Sequence, residues 1–144
     1  MVCVALGVDM FDCVFPTRTA RFGNALTSKG TLSLRQAKFK DDFRPIEEGC
    51  DCIACKSYTR AYLYTVVTKE TVGCHLISIH NTAYQLRLMR QIRESVIEDR
   101  FPQFIHKFFK DLFVEKSAYP EWAVNALKSV NVDLMAGDGD EATK

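Results

Sequence analysis

Long apolar runs are what this sequence most plainly lacks. Its longest uncharged stretch, residues 71–86, falls short of the ~20 residues a membrane-spanning helix needs and is rich in polar side chains. Excess charge is missing too: 19 Lys and Arg face 18 Asp and Glu, a formal net charge of +1. No global field draws the chain toward nucleic acid, so such a partner has to be read from local patches. The opening residues do not have the pattern of a secretory signal, which excludes the usual route to structural disulfides. Seven glycines are scattered without forming a phosphate-binding loop, and no segment repeats.

Against these absences stand six cysteines, many for a chain expected in a reducing cytosol, where clustered thiols bind metal more often than each other. Three fall within six residues, Cys50-Asp51-Cys52-Ile53-Ala54-Cys55, and His80 follows on a helical stretch. Three thiols and an imidazole are the four soft or borderline donors of a tetrahedral structural Zn2+ site. A disulfide is the alternative, but Cys50 and Cys52 are too close to pair without strain. His75 competes with His80 for the fourth position, because spacing alone admits either.

At 144 residues, 47% hydrophobic and 26% charged, the chain is long enough for one domain with a proper core. Val8 to Phe15 resembles a strand covered on both faces, interrupted only by Asp9 and Asp12. Such strands belong to parallel sheets under helices, where catalytic groups collect at the carboxyl end, near Asp12. Capping or pairing at a strand terminus is the competing account of both carboxylates. From Pro16 to Gly23 the pattern is that of a loop, and Ala25–Thr27 with Thr31–Leu34 around Ser28-Lys29-Gly30 predicts a hairpin. Arg18, Arg21, Lys29, Arg35, Lys38, Lys40 and Arg44 outnumber Asp41 and Asp42 across residues 16–44, a patch able to hold phosphates. A solvated hairpin would show the same excess.

Beyond residue 56 the chain reads as mostly helical: Ser57 to Val67, then, after a break at Gly73, about His75 to Asp99. In the second of these, Leu76, Ile79, Ala83, Leu86, Met89, Ile92 and Val96 form a core-facing stripe. His80 neighbours that stripe, from where it can tie a metal to the helix. Further helices start at Pro102, with Phe104, Ile105, Phe108, Phe109 and Leu112 on the apolar side, and at Pro120, with Trp122, Ala126, Leu127 and Val130. These stripes are read as core, His106 as structural or exposed, and residues 136–144 as a disordered tail.

Gly7-Val-Asp-Met-Phe-Asp12-Cys-Val, Pro16-Thr-Arg18, Arg21-Phe-Gly, the three cysteines with Tyr58-Thr-Arg-Ala-Tyr62, and His80-Asn81 occur in one collinear order. Together they resemble the carboxyl-terminal part of the tRNA-guanine transglycosylases, with the wording around Arg18 to Gly23 closest to the eukaryotic branch. The resemblance runs from residue 2 to about residue 134. It implies an α/β fold: the last part of a TIM-type (β/α)8 barrel bearing a zinc-binding subdomain. On that plan residues 1–23 hold the last barrel strand and active-site loop, 24–99 the hairpin and zinc subdomain, and 100–135 the carboxyl-terminal helices.

The resemblance also implies roles. Asp12 matches the nucleophile that attacks the ribose of the wobble guanosine, expels guanine and forms a covalent intermediate resolved by queuine. A carboxylate suits a centre of oxocarbenium character, as in retaining glycosidases. Arg18 and Arg21 match positions that bind the tRNA anticodon loop, and Cys50, Cys52, Cys55 and His80 match the zinc ligands. Further implications are a homologous accessory subunit as dimer partner and a cytoplasmic location that can include the mitochondrial outer-membrane surface. The Cys55 to His80 interval is one residue shorter than the family spacing. A barrel typically takes about 250 residues, so the base-recognition residues and second active-site carboxylate of the family find no counterpart here. Two functions follow: part of a base-exchanging pentosyltransferase, or a non-catalytic zinc-containing module for tRNA binding or subunit assembly.

Overall fold

The structure, a computed structural model, describes residues 1–136. The order of elements is α1 (Val2–Ala5), α2 (Phe15–Arg21), β1 (Asn24–Thr27), β2 (Gly30–Ser33), a 3-10 turn (Ala37–Phe39), α3 (Ile53–Ser57), α4 (Arg60–Lys69), α5 (Thr71–Ile97), α6 (Phe101–Leu112), a second 3-10 turn (Lys116–Ala118) and α7 (Glu121–Lys128). They divide into two units: residues 12–91, and residues 1–11 with those from 92 onward. The tail expected at 136–144 lies, but for Ala136, outside the described residues.

The unit of residues 12–91 is built on the predicted hairpin. Asn24 pairs with Ser33, Ala25 with Leu32, Leu26 with Thr31 and Thr27 with Gly30, leaving Ser28-Lys29 as the loop. Gly30 has φ +104°, a value that L side chains rarely adopt, which is why glycine closes this turn. Ala25 and Leu26 bury their side chains, and α2 packs on β1. The core adds Leu34, Phe39 and Ile46 from the following loops, Leu63, Val66 and Val67 from α4, and Leu76 and Ile77 from α5. Asp42 braces the loops, accepting from Arg44 Nη2 at 2.8 Å and Arg60 Nη1 at 3.1 Å. Arg60 also donates to the carbonyls of Pro45 and Ile46 at 2.8 Å. The Arg60 guanidinium therefore holds loop 42–46 against α4, so this cation is structural although it lies beside a basic patch.

Several expectations need correction. Val8 to Phe15 forms no strand, and the only sheet among the described residues is the two-stranded hairpin. A central strand exists only through the ladders on its two sides, and no described segment supplies one. Its apolar side chains stand exposed instead, Met10 at 86% and Val14 at 54%. Of the segment Pro16 to Gly23, expected as a loop, residues up to Arg21 lie in helix α2, with Pro16 in its first turn where the missing N–H costs nothing, and only Phe22 and Gly23 form a turn. The helical break falls at Glu70, the single residue between α4 and α5, and Gly73 lies inside α5.

Gly73 has a packing reason to be there. A Cβ at this position would stand 2.6 Å from the Cα and N of Val67, closer than any real contact, so the glycine lets α5 meet the backbone of α4. Gly73→Ala is therefore expected to lower stability by about 1–3 kcal/mol as the helices are forced apart. A thermal melt of the variant that matches the parent would show that the pair yields without cost.

The face of α5 is also phased differently from the apolar stripe. Ile79, Leu86 and Val96 are exposed, while Ile77, His80 and Asn81 are wholly buried. The buried side is partly polar, and what it buries is described below.

In the other unit the phenylalanine stripe is core, as expected. Ile105 and Phe109 of α6 pack with Ala123 and Leu127 of α7, Val2 of α1, and Val132 and Leu134. Phe109, Phe113 and Tyr119 form a ring cluster with centroids 5.3–5.9 Å apart, within the favourable range for aromatic pairs. Trp122, counted with the apolar side of α7, is 66% exposed because Ala123 and Leu127 take the inward positions.

Candidate metal centre

The zinc-type residues converge. Gly49, at φ +73°, turns the chain into Cys50, and Cys52 serves as the N-cap of α3 with extended backbone angles. Its sulfur accepts the N–H of Cys55 at 3.4 Å, as a Ser or Asp oxygen does at an ordinary cap. Capping thus places Cys50, Cys52 and the first turn of α3 around one point. His80 reaches that point from α5, with Nδ1 at 3.8, 3.6 and 3.3 Å from the sulfurs of Cys50, Cys52 and Cys55. All four ligand atoms lie within 4.8 Å of one another and all four residues are buried. His75, the rival, is exposed and outside the cluster.

The chemistry of the set fits zinc. Tetrahedral bonds of about 2.3 Å to sulfur and 2.0–2.1 Å to nitrogen imply sulfur-to-nitrogen separations of about 3.6 Å, which the three observed distances bracket. His80 Nε2–H donates to the Leu26 carbonyl at 2.8 Å, leaving the Nδ1 lone pair directed at the thiols. Burial depresses the His80 pKa, which keeps the ring neutral and able to ligate. Burial, followed by the nearby thiols, pushes Cys55 up to about 12, and burial also raises Cys52. At Cys50 burial opposes ionisation, but the Cys52 N–H and the Arg87 guanidinium outweigh it and lower the pKa. Three such sulfurs become thiolates together only around a cation, which a dication supplies. The six cysteines are free thiols, so no disulfide competes. The cluster is a structural zinc site, with four protein donors and no position left for a substrate.

Two neighbours were not singled out for a role by sequence reasoning. Asn81 is fully buried; its Oδ1 accepts the Leu26 N–H at 2.8 Å, and its Nδ2 donates to the carbonyls of Pro16 and Asn24 at 3.0 Å. Cys74 Sγ donates to the Arg21 carbonyl at 3.6 Å. The metal-bearing helix therefore grips both strand β1 and the two ends of α2. The second neighbour is Arg87, which reaches Cys50 and Glu47. Steps of four and three from His80 through Tyr84 to Arg87 put all three on one helix face, a signal the sequence carries.

On α2 sit Arg18 and Arg21, one helical turn apart, both exposed. Asp12 lies ahead of this helix in the irregular segment, exposed, and no hydrogen bond among the described residues engages its carboxylate. The structure brings the zinc ligands together but does not bring Asp12 to them. Of the other cations in the patch, Arg44 is tied to Asp42, Lys40 lies 3.8 Å from Asp41, and Arg35 donates to the Phe22 carbonyl.

The span that holds the Cys3His cluster is matched by known proteins. A family model, queuine tRNA-ribosyltransferase, matches residues 1–113. The chain belongs to that family. It is 57% identical over 144 residues to the queuine tRNA-ribosyltransferase catalytic subunit of Schizosaccharomyces pombe, covering 94% of this chain and 36% of the relative. The catalytic subunit of Caenorhabditis elegans is 51% identical over 114 residues, 78% of this chain and 28% of the relative. A queuine tRNA-ribosyltransferase of Bacillus pumilus is 52% identical over 105 residues, 72% and 28% respectively. This queuine tRNA-ribosyltransferase family chain therefore spans about a third of the length of the curated relatives it matches, and corresponds to a carboxyl-terminal portion of the catalytic subunit. Its described helices include none long and apolar enough to cross a membrane.

Proposed function

We propose that this chain is the part of a base-exchanging tRNA-guanine transglycosylase that holds the anticodon loop and carries the nucleophile. In this reading Asp12 attacks the anomeric carbon of the wobble nucleoside, guanine leaves, and queuine resolves the ester. Arg18 and Arg21 hold the phosphates of the loop. The zinc centre acts through structure: His80 and Asn81, adjacent on one helix, fix β1 and α2, and so fix the arginines. The observation that carries the reading is the family match over residues 1–113, the span within which Asp12, both arginines and the four zinc-type residues lie. Exposure of the apolar Val8 to Val14 run supports a barrel in the longer relatives that covers it, with this run as a late strand. Assembly with a homologous accessory subunit, in a cytoplasmic enzyme able to associate with the mitochondrial outer membrane, belongs to the same reading.

The second reading, a zinc-containing module that binds tRNA without catalysis, is favoured by the irregular backbone around Asp12. Both readings share RNA contact through α2. Binding to a tRNA with guanine at the wobble position is expected to weaken as salt rises, and Arg18→Ala should flatten the slope of log K against log salt by about one. Electrophoretic or fluorescence titration at several salt concentrations measures this. Affinity indifferent to salt and to Arg18 would remove the RNA from both readings.

A further inference from the structure

The sulfurs of Cys50, Cys52 and Cys55 are not equivalent. Arg87, two helical turns beyond His80 on α5, donates from Nη1 to Cys50 Sγ at 3.2 Å and from Nη2 to Glu47 Oε2 at 2.6 Å. Glu47 is itself fixed, because its Oε1 accepts the backbone N–H of Ser28 in the hairpin loop at 2.7 Å. The guanidinium also lies 5.7 Å from the centre of the Tyr84 ring, and the Arg87 side chain is 31% exposed. A side chain held on three sides, with one fork on a carboxylate and the other on a sulfur, is placed rather than free to wander.

The charges give that placement a purpose. Zinc bound by three thiolates and a neutral imidazole carries a net charge of −1, in a buried place where an uncompensated charge is expensive. Glu47 adds a second negative charge beside it. Arg87 stands between these two anions. Removing its charge would leave the Cys50 sulfur facing the Glu47 carboxylate with no guanidinium between the two negative groups, and the sulfur would leave the metal more readily.

We propose that Arg87 is a positioning residue of the zinc centre, whose guanidinium, bonded to the Cys50 sulfur and braced by Glu47, holds that sulfur on the zinc and slows release of the metal. This role of Arg87 toward the zinc is independent of any RNA or catalytic reading.

The test compares three zinc-loaded forms of the chain: the parent, Arg87→Gln, which keeps a hydrogen-bond donor without the charge, and Arg87→Lys, which keeps the charge. Zinc transfer to a chromogenic chelator in excess is followed in time, with circular dichroism establishing that each form is folded at the start. Outer-shell partners of metal ligands typically contribute about 10–100-fold to metal affinity. Release from Arg87→Gln is expected to be faster by that order, with Arg87→Lys closer to the parent. Equal rates for Arg87→Gln and the parent would overturn the role, and so would Gln and Lys variants that are equally fast, since charge would then be irrelevant.

A measurement on the parent protein guards against a variant that fails to fold. During slow alkylation of the zinc-loaded chain, peptide mapping should find Cys50 modified after Cys52 and Cys55, because a thiolate that accepts from a guanidinium is the poorer nucleophile. Cys50 modified first would overturn the proposal whatever the variants do.

Discussion

Metal analysis of the purified chain is expected to give about one zinc per chain, and His80→Ala to lose both the zinc and the fold of residues 12–91. The size of the effect follows from where His80 sits. Structural zinc contributes about 10–16 kcal/mol of apparent binding free energy in small metallo-domains, against about 5–15 kcal/mol for the net stability of a whole domain. His80 is wholly buried, and its ring joins the cysteines of the knuckle to the Leu26 carbonyl of the hairpin. Its loss opens the closed site and leaves buried thiols and a strand carbonyl without partners. Cys52→Ser should act in the same direction, while His75→Ala should retain the metal because that ring is exposed. Full zinc in a chain carrying both Cys52→Ser and His80→Ala, with an unchanged melting temperature, would remove the site.

The same experiment has a pH arm with a definite sign. Burial sets the folded-state pKa of His80 below its ordinary value of 6.5, so the unfolded chain takes up that proton more readily. The stability contributed by the neutral ring is complete above about 6.5 and is lost as pH falls through that value toward the folded pKa. Protons compete with zinc for the three sulfurs in the same sense. Zinc retention and melting temperature should therefore fall together on acidification and recover together on return to neutral pH.

How much of this was legible beforehand depended on whether the signal was local. The Cys3His set was, because three thiols at that spacing have few other uses in a reducing compartment, and the hairpin was, because Ser28-Lys29-Gly30 contains its own turn chemistry. Choosing between His75 and His80 was a matter of helix phase, and phase was the weak point. The stripe through Ile79, Leu86 and Val96 counted apolar side chains, whereas α5 buries His80 and Asn81, polar residues that are paid for by a metal site and by backbone partners in β1 and α2. Gly73 misled in the same way: a helix breaker by propensity, it sits inside a helix because α4 leaves no room for a Cβ. Val8 to Phe15 failed for a different reason. Its composition is that of a central strand, but a strand is defined by neighbours, and no local pattern reports whether those neighbours are present.

That exposed run leads to the second large effect expected: purified by itself, this chain should not exchange guanine in tRNA, although on the proposed reading it carries the nucleophile. A carboxylate is only one part of glycosyl transfer. The leaving base has to be stabilised as charge develops, and the ribose has to be held within near-attack distance, where a misplacement of 1 Å can cost about 10²-fold. Here Asp12 stands in irregular, exposed backbone with no hydrogen-bond partner among the described residues to aim it, a few residues from Arg18 and Arg21, which on the proposed reading hold phosphates. The chain also spans only 36% of its Schizosaccharomyces pombe relative, so the groups that grip the base in the whole enzyme are sought in the remainder. Joined to that remainder, the chain is expected to regain exchange, and Asp12→Asn in the longer protein to abolish the covalent tRNA adduct seen after denaturation, while leaving zinc content unchanged. The measurement is incorporation of labelled guanine into tRNA by the 144-residue chain in a preparation free of any longer form. Turnover that vanishes with Asp12→Asn would mean that these residues assemble a working site without a barrel, and the proposed dependence on the rest of the enzyme would fall.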